Sequence, residues 1–318
     1  MTLTLRYAVR SDPGLVRPNN QDSVYAGPRL LAVADGMGGM AAGDLASSVV
    51  ISKLAQLDHD VPAEEVISAL DEAVEAANAD LRRGIEADPS LRGMGTTLTA
   101  VLFSGRAIAM VHIGDSRAYL LREGQVRQVT KGHTDVQMLV DEGALSVEEA
   151  SHHPHRSLVT QVLQGDPIEP AFSVREAIPG DRYLLCSDGL SNVVRLETIG
   201  DTLREYRDPH ECAERLVDLA LRAGGPDNIT AVVADVLEED EVDGEPSIRQ
   251  AVVAGSLTGI PTSEWPAVVP SKPVPTAQSG SDDEDDGERG GGGIPAWALG
   301  LVLVLMLGAA VAIWYLYG

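Results

Sequence analysis

The sequence predicts an α+β fold, with a central antiparallel β sandwich flanked by helices. Apolar runs typical of buried strands recur through residues 1–237. Two of them, 97–104 and 107–114, are separated only by a Ser-Gly-Arg turn, which indicates a hairpin. Helical patterns are inserted between the strands, but the strict β-α alternation of a doubly wound parallel sheet is missing.

The individual elements are predicted from hydrophobic periodicity. Strands are expected at residues 2–10, 29–35, 97–104, 107–114, 117–122, 182–187 and 229–237. Helices are expected at residues 44–57, 62–85 and 209–222, and Pro62 fits a first turn, where proline is tolerated. The polar, histidine-rich region 131–156 is predicted to be a small helical insertion, with helices near 134–142 and 147–152.

Two segments of different character follow the folded region. Residues 238–293 are rich in acidic residues, Pro, Gly and Ser, so we expect a disordered acidic linker. The uncharged stretch 294–317, at about 1.5 Å per residue, is long enough to cross a hydrocarbon core of about 30 Å as a transmembrane helix. The N-terminus alternates and meets charge early, unlike a secretory signal. A single-pass cell-membrane protein with a cytoplasmic folded region is therefore predicted.

The composition excludes some functions. The formal net charge is −24, and no basic stripe is present to neutralise phosphates, so nucleic-acid binding is disfavoured. Cys186 and Cys212 are the only cysteines, and neither lies in a CxxC pattern. Buried free thiols in a reducing compartment are the simplest interpretation, and a single disulfide is the alternative.

Two Asp-Gly steps, at residues 35–36 and 188–189, each follow an apolar strand-like run. Either step alone is typical of a plain turn. Together with Asp115 and Asp227, which also lie beside glycine-containing turns, they suggest four carboxylates converging on one place. Because converging carboxylates repel each other unless cations lie between them, this pattern predicts a site for a hard divalent metal ion.

Six short motifs carry a family resemblance. They are GLVRPNNQD at 14–22, ADGMGG at 34–39, GMGTT at 93–97, HIGDSR at 112–117, LCSDGL at 185–190 and GPDNIT at 225–230. In this order and spacing, residues 1–237 resemble the metal-dependent protein phosphatase family, protein phosphatase 2C, in its bacterial serine/threonine phosphatase form. The resemblance implies helices on both sides of the sandwich (αββα), with residues 131–156 as a flap over the site.

The resemblance also implies a binuclear Mn²⁺ or Mg²⁺ centre. Asp35 would bridge the two ions, the Gly36 carbonyl would bind one of them, and Asp188 and Asp227 the other. A third ion would be shared by Asp115 and Asp188, with help from Ser157. Water activated by the ions would attack the phosphate, and two carboxylate-held ions suit that reaction.

Other residues near these motifs acquire roles by the same resemblance. Arg17 would grip the substrate phosphate through its guanidinium fork. Asp22 would accept a hydrogen bond from water held by the ions. Gln21 stands where the family usually has a glutamate, which is expected to weaken metal retention. Met37 replaces a histidine found in eukaryotic members and has no proton to give to the leaving group.

The implied function is a membrane-tethered phosphatase that hydrolyses phosphoserine and phosphothreonine and opposes Ser/Thr protein kinases. Its partners would be phosphorylated proteins, namely those kinases and their substrates. Three alternatives remain open at this point. Gln21 favours a catalytically weak, phosphatase-like binding module; a phosphatase dedicated to one regulatory partner protein is the second; an acidic membrane scaffold whose linker recruits partners is the third.

Overall fold

Two antiparallel β-sheets pack face to face, and helices cover both outer sides. The computed structural model describes residues 3–39, 42–146, 149–150, 153–155, 158–238, 250–260 and 264. The strands within these residues are β1 (Leu3–Asp12), β2 (Asp22–Ala26), β3 (Leu30–Met37), β4 (Gly95–Thr96), β5 (Leu98–Ser104), β6 (Ala107–Ile113), β7 (Arg117–Arg122), β8 (Gln125–Gln128), β9 (Ala171–Glu176), β10 (Arg182–Cys186), β11 (Ile229–Glu238) and β12 (Val252–Gly255).

The helices of the described residues lie outside the two sheets. They are α1 (Ala42–Leu54), α2 (Val66–Ala87), α3 (Asp135–Asp141), α4 (Asp188–Ser191), α5 (Leu196–Glu205) and α6 (Pro209–Arg222), with 3₁₀ turns at Ala55–Leu57 and Pro89–Leu91. One sheet has the order β1-β11-β10-β7-β8. The other has the order β12-β2-β3-β5-β6-β9, and β4 pairs with β3. The predicted α+β sandwich is confirmed, including the β5–β6 hairpin, which pairs in register from Leu98–Ile113 to Ser104–Ala107.

Three apolar cores hold these layers together. The central core lies between the sheets, a second lies between the seven-stranded sheet and helices α1 and α2, and a third lies under α5 and α6. Strand β3 contributes to two of them, because Leu31 and Val33 enter the central core while Leu30, Ala32 and Ala34 enter the second. Each fully buried leucine or valine side chain of this kind contributes about 1.5–3 kcal/mol. The strand is therefore apolar without alternation, and its end is held rigidly.

Several elements differ from the sequence-based expectation. Helix α2 begins at Val66 rather than near Pro62, whose carbonyl instead accepts a turn hydrogen bond from the Glu65 amide. Strands β2, β4, β8, β9 and β12 and helix α4 were not predicted, because each is short, and the ten-residue helix α5 was missed although it has a buried apolar face. The two cysteines are both buried free thiols, as expected for Cys186 from its position in an apolar strand.

The prediction of a disordered linker over 238–293 is wrong for residues 250–260. In that segment β12 pairs with β2, and Leu257 is completely buried in the core beneath α1. The segment lacks the apolar surface for a core of its own, which is why its composition is typical of a linker. It folds by adding one strand to an existing sheet edge and one leucine to an existing core.

Some predictions fall outside the described residues. Helix α3 lies within the first predicted flap helix, but only residues 149–150 of the second, near 147–152, are described. The predicted transmembrane segment 294–317 is not described at all. Among the helices that the structure does describe, none combines the length and the apolar character needed to cross a membrane.

Candidate active site

Five aspartates gather at one end of the sandwich. Asp22 opens β2 and lies directly opposite Asp35 of β3. Asp188 is the first residue of α4, immediately after β10, while Asp115 follows β6 and Asp227 precedes β11. Asp22 is completely buried, and the other four are partly exposed. The convergence predicted from the sequence is therefore present as geometry, with Asp22 as its buried member.

Backbone and threonine contacts fix the position of Asp35. Its amide donates to Thr97 Oγ1 at 3.0 Å, and its carbonyl accepts from the Thr97 amide and from Thr96 Oγ1, both at 2.9 Å. Gly36 is glycine because a Cβ there would lie 2.1 Å from the Gly43 carbonyl oxygen of α1. The Asp-Gly step at 35–36 therefore allows a helix to approach a strand closely, and it is not the turn that the dipeptide suggests.

Asp22 has one satisfied and one unsatisfied oxygen. Its Oδ2 accepts hydrogen bonds from Ser187 Oγ at 2.8 Å and Thr230 Oγ1 at 2.6 Å. Its Oδ1 is buried and finds no hydrogen-bond partner among the described residues. A buried carboxylate oxygen without a donor costs free energy, so this oxygen is suited to a cation or to a water held by one.

The aspartates interact strongly through space. Burial, followed by repulsion from Asp22, Asp188, Asp115 and Asp227, raises the pKa of Asp35 well above its ordinary value. Burial raises the pKa of Asp22 to about 7, although hydrogen bonds from Thr230 and Ser187 oppose the shift. The pKa of Asp115 is likewise raised to about 7, by burial and then by Asp188. Without added positive charge, these groups therefore resist ionising together.

Two of the acids are engaged by neighbouring side chains. Asn192 Nδ2 donates to Asp188 Oδ2 at 2.8 Å, and Arg17 Nη2 donates to Asp227 Oδ2 at 2.8 Å. Asp188 also lies within hydrogen-bonding reach of Asp35. In the part of the chain that the structure describes, no three His, Cys, Asp or Glu side chains are already gathered as a ready-made ion site.

The convergence of the five carboxylates is compatible with bound cations, although the described side chains form no ready-made ion site. The clustered carboxylates repel each other, and one of them, Asp227, is paired with the Arg17 guanidinium. Mg²⁺-type ions also keep several waters, so each needs only one or two carboxylates. The all-oxygen donor set, the mutual repulsion and the orphan oxygen of Asp22 fit hard divalent cations.

A tight loop places Arg17 beside Asp227. Gly14 has φ +77° and sits so close to the Asp227 backbone that a Cβ would lie 2.2 Å from its carbonyl oxygen. The Leu15 amide then donates to the Gly225 carbonyl at 2.8 Å. Arg17 stays about half exposed, and its hydrogen bond to Asp227 raises the pKa of its guanidinium. A charged fork donor is thus held at the open side of the acidic cluster.

The flap contacts the loop that carries Asp115. The His133 amide donates to the Gly114 carbonyl at 2.7 Å, and the Gly114 amide donates to His133 Nδ1 at 3.2 Å. Thr134 then caps α3 by accepting from the Gln137 amide. Ser157, predicted to help hold a third ion, lies outside the described residues.

Three contributors to this site were missed by sequence reasoning. Asn228 accepts from the Gln21 amide and donates to the carbonyls of Pro13 and Asn19, so it ties the loop before β11 to the loop between β1 and β2 at three points. Its motif position next to Asp227 was a usable signal. Gly189 was expected to be only a turn, but a Cβ there would lie 2.0 Å from the Asn228 carbonyl oxygen. Ser187 and Thr230 also lie in the quoted motifs, but their hydrogen bonds to Asp22 could not be predicted, because they join segments that are distant in the sequence.

The comparisons with known proteins agree with this architecture. A family model described as protein phosphatase 2C matches residues 18–237. The serine/threonine protein phosphatase PstP of Mycobacterium tuberculosis is 55% identical over 259 residues, which cover 81% of this chain and 49% of PstP. Protein phosphatase PhpP of Streptococcus pneumoniae is 36% identical over 245 residues, covering 74% of this chain and 99% of PhpP.

A solved structure is also closely similar. It is the catalytic domain of PstP in complex with two manganese ions, with 56% identity, a TM-score of 0.70, and coverage of 74% of this chain and all of that domain. The two sheets between helical layers, the acidic cluster and these matches define a phosphatase catalytic domain. The chain belongs to the protein phosphatase 2C family. It spans about half the length of the PstP sequence that it matches.

Proposed function

We propose that this chain is a metal-dependent serine/threonine protein phosphatase. The observation that carries the proposal is the convergence of five aspartates beside Arg17, at one end of a protein phosphatase 2C domain. The similarity to PstP and PhpP supports the substrate class, phosphoserine and phosphothreonine in proteins. The principal metal-binding carboxylates of the family resemblance and Arg17 are all present, so a purely binding module has only Gln21 in its favour.

The proposed cofactors are two Mn²⁺ or Mg²⁺ ions, supported by the two manganese ions of the PstP catalytic domain. Asp35, the Gly36 carbonyl, Asp188 and Asp227 would hold them, and Asp115 and Asp188 would share a third ion, with Ser157 as the further ligand that the family resemblance implies. When bound, such ions supply the positive charge that lowers the pKa of water and neutralises phosphoryl oxygens.

Arg17 and Asp227 are proposed to exchange partners during the reaction cycle. Their ion pair is exposed, since the side chains retain 53% and 34% of their accessible surface, so it is worth only about 0–1 kcal/mol. Asp227 is then available to a cation, and Arg17 to the phosphate oxygens, which its planar fork can bind in a bidentate manner. Both partners gain a stronger interaction than the one they leave.

The other polar groups position the reacting atoms or accept hydrogen bonds. Asp22 Oδ1, buried and without a donor in the described structure, is the acceptor that would orient water in the site. Ser187 and Thr230 keep its other oxygen in place. The thioether of Met37 has no acidic proton to donate, so solvent is the proposed proton source for the leaving alkoxide.

Phosphate release from a phosphothreonine peptide tests the activity. The wild-type chain is expected to release phosphate with Mn²⁺ and to stop when EDTA is added. Asp188→Ala is expected to lose activity, whereas Glu176→Gln should keep it, because Glu176 is an exposed acid paired with Arg106 on the far end of β6 from Asp115. Equal activity in Asp188→Ala and wild type, or none in either, contradicts the proposal.

We also propose that the phosphatase is tethered to the membrane with its catalytic domain in the cytoplasm, where it opposes Ser/Thr protein kinases. The uncharged stretch 294–317 supports the tether. Deleting residues 294–318 is expected to move the protein from the membrane fraction to the soluble fraction. If the deleted protein stays in the membrane fraction, the tether is wrong, whatever the activity of the catalytic domain.

A further inference from the structure

Three residues stand in a row across neighbouring strands at the buried side of the acidic cluster. Asp22 of β2 is opposite Asp35 of β3, and on its other side Ser256 follows the last residue of β12. The Ser256 amide donates to the Asp22 carbonyl at 2.7 Å. The backbone of Asp22 is therefore held from both sides, by β3 and by the segment 250–260.

Gly255 shapes the contact between this segment and Asp22. Its φ is +74°, and a Cβ on it would lie 2.0 Å from the Asp22 carbonyl oxygen and 2.8 Å from the carbonyl carbon. Both the conformation and the space require glycine here. The chain thus turns directly against the backbone of Asp22 at the point where β12 ends.

A cluster of hydroxyl groups fixes the same point to helix α1. Ser256 Oγ lies 2.5 Å from Ser23 Oγ and 2.8 Å from Ser48 Oγ. Ser23 Oγ lies 2.9 Å from Ser47 Oγ, and Ser47 Oγ donates to the Gln21 carbonyl at 2.6 Å. Ser23, Ser47 and Ser48 are buried. These contacts join β12, β2 and α1 directly behind residues 21 and 22.

The segment lies beyond the part of the chain that the family model matches, which ends at residue 237. It is nevertheless integrated into the domain: Leu257 is completely buried, and the Gln250 carbonyl accepts from Tyr7 Oη at 3.0 Å. The alignment with PstP is too long to end before residue 250, so PstP has residues aligned with this segment. Without β12, the short strand β2 would itself be the sheet edge, with an unpaired row of backbone groups.

We propose that residues 250–260 form a positioning element of the active site, with Gly255 and Ser256 as its positioning residues. By pairing with β2 and donating to the Asp22 carbonyl, the segment fixes where the Asp22 carboxylate stands relative to Asp35 and the ions. The role of Asp22 toward the ions rests on the proposed function; the contacts themselves do not. Supporting partners of this kind commonly change metal affinity when they are altered.

The test compares two glycine substitutions in the full-length chain. Gly255→Ala and Gly259→Ala share the backbone strain, since φ is +74° and +76°, but only at residue 255 does the new Cβ meet a neighbour. Isothermal titration with Mn²⁺ is expected to show binding weakened at least about tenfold in Gly255→Ala relative to Gly259→Ala. Hydrogen exchange of the metal-free protein is expected to be faster for the β2 amides in Gly255→Ala only.

A second pair of variants keeps the proposal testable if Gly255→Ala does not fold. Ser256→Ala deletes a hydroxyl that joins the serine cluster, and Thr258→Ala deletes an exposed one. Ser256→Ala is expected to weaken Mn²⁺ binding and Thr258→Ala to leave it unchanged. Equal Mn²⁺ affinity within each pair overturns the proposal, even if β2 exchanges faster. Failure of the proposed function gives a different result: the wild type then releases no phosphate, even though its β2 amides are protected from hydrogen exchange.

Discussion

Arg17 Nη2 donates a hydrogen bond to Asp227 Oδ2 over 2.8 Å, joining two residues to which the sequence assigned separate partners. Asp227 was expected to hold a cation and Arg17 a phosphate. Instead the two side chains form an ion pair with each other, at the open side of the acidic cluster. Under the proposed function, a cation would compete with Arg17 for Asp227, and a phosphate would compete with Asp227 for Arg17.

Arg17→Lys is expected to lower kcat/KM for a phosphothreonine peptide by about 10–100-fold, because lysine keeps the charge but lacks the bidentate fork. Steady-state kinetics at saturating Mn²⁺ measure the effect. The matched control is Arg106→Lys. Arg106 is also a half-exposed arginine paired with an acid, Glu176, but it lies at the end of β6 that is far from Asp115. A kcat/KM that falls equally in both variants, or in neither, removes Arg17 from phosphate binding.

The metal-free protein is expected to lose stability as the pH rises from about 4 to about 7, the range over which the acids of the cluster ionise. The pKa of Asp22 and of Asp115 is about 7 in the folded state, above the ordinary value of 3.8. An acid with a raised folded-state pKa holds its proton more tightly when folded. The amount by which such an acid lowers the free energy of unfolding is therefore zero below about pH 4, grows as the pH increases, and is complete above about pH 7.

Asp22→Asn removes one of these titrating groups. Between pH 6 and pH 8 in EDTA, the melting temperature should fall less in Asp22→Asn than in wild type. The difference between the two proteins is the useful quantity, because burial lowers the pKa of His112 to about 3 and adds an opposite trend below pH 6.5 in both. Parallel melting curves in the two proteins contradict the assignment of a raised pKa to Asp22.

Gly36→Ala is expected to destabilise the protein by about 1–3 kcal/mol, the usual range for overpacking, because its Cβ would meet the Gly43 carbonyl oxygen at 2.1 Å. Gly39→Ala is the control, since no atom lies within 4 Å of a Cβ there, and should stay within about 0.5 kcal/mol. Urea unfolding of the metal-free proteins measures both. Similar free energies of unfolding for the two variants would show that α1 does not press on β3 at this point.

Arg182→Met is expected to destabilise the protein by about 3–5 kcal/mol. Arg182 is buried, binds both oxygens of Asp235 at 2.5 and 2.8 Å, and donates to the Leu203 carbonyl. Arg106→Met breaks an exposed pair with Glu176 and should cost about 0–1 kcal/mol. Thermal and urea unfolding measure the difference, and equal costs would contradict a structural role for the buried pair.

Much of the fold could be predicted because it depends on local patterns. The apolar run of β3 and the periodicity of α6 are visible in a few adjacent residues, and α6 occupies the predicted range. Strand β12 could not be predicted in this way. Its four residues become a strand only because the edge of β2 already exists, and the acidic, Pro-rich sequence around it is typical of a linker.

In the candidate site too, the features that lie in short local motifs could be predicted, and the contacts between distant segments could not. Asp35, Asp115, Asp188 and Asp227 lie in short motifs, each with a glycine beside or near the acid, so their convergence could be predicted. Gly189 was interpreted only as a turn former, and the close packing around Gly36 was not predicted. Their contacts, with Asn228 and Gly43 respectively, join distant segments. The contacts of Ser256 with Asp22 depend on sheet register, which the sequence does not state locally.

Counting Mn²⁺ ions tests the central claim most directly. Isothermal titration of the metal-free chain is expected to show at least two bound ions, the number held by the PstP catalytic domain, and a third if the proposed Asp115 site is filled. Asp35→Asn is expected to remove the binding or weaken it at least about 100-fold, because Asp35 interacts with all four other acids of the cluster. Failure of the wild type to bind Mn²⁺, or binding that Asp35→Asn leaves unchanged, would contradict a metal site at this end of the sandwich.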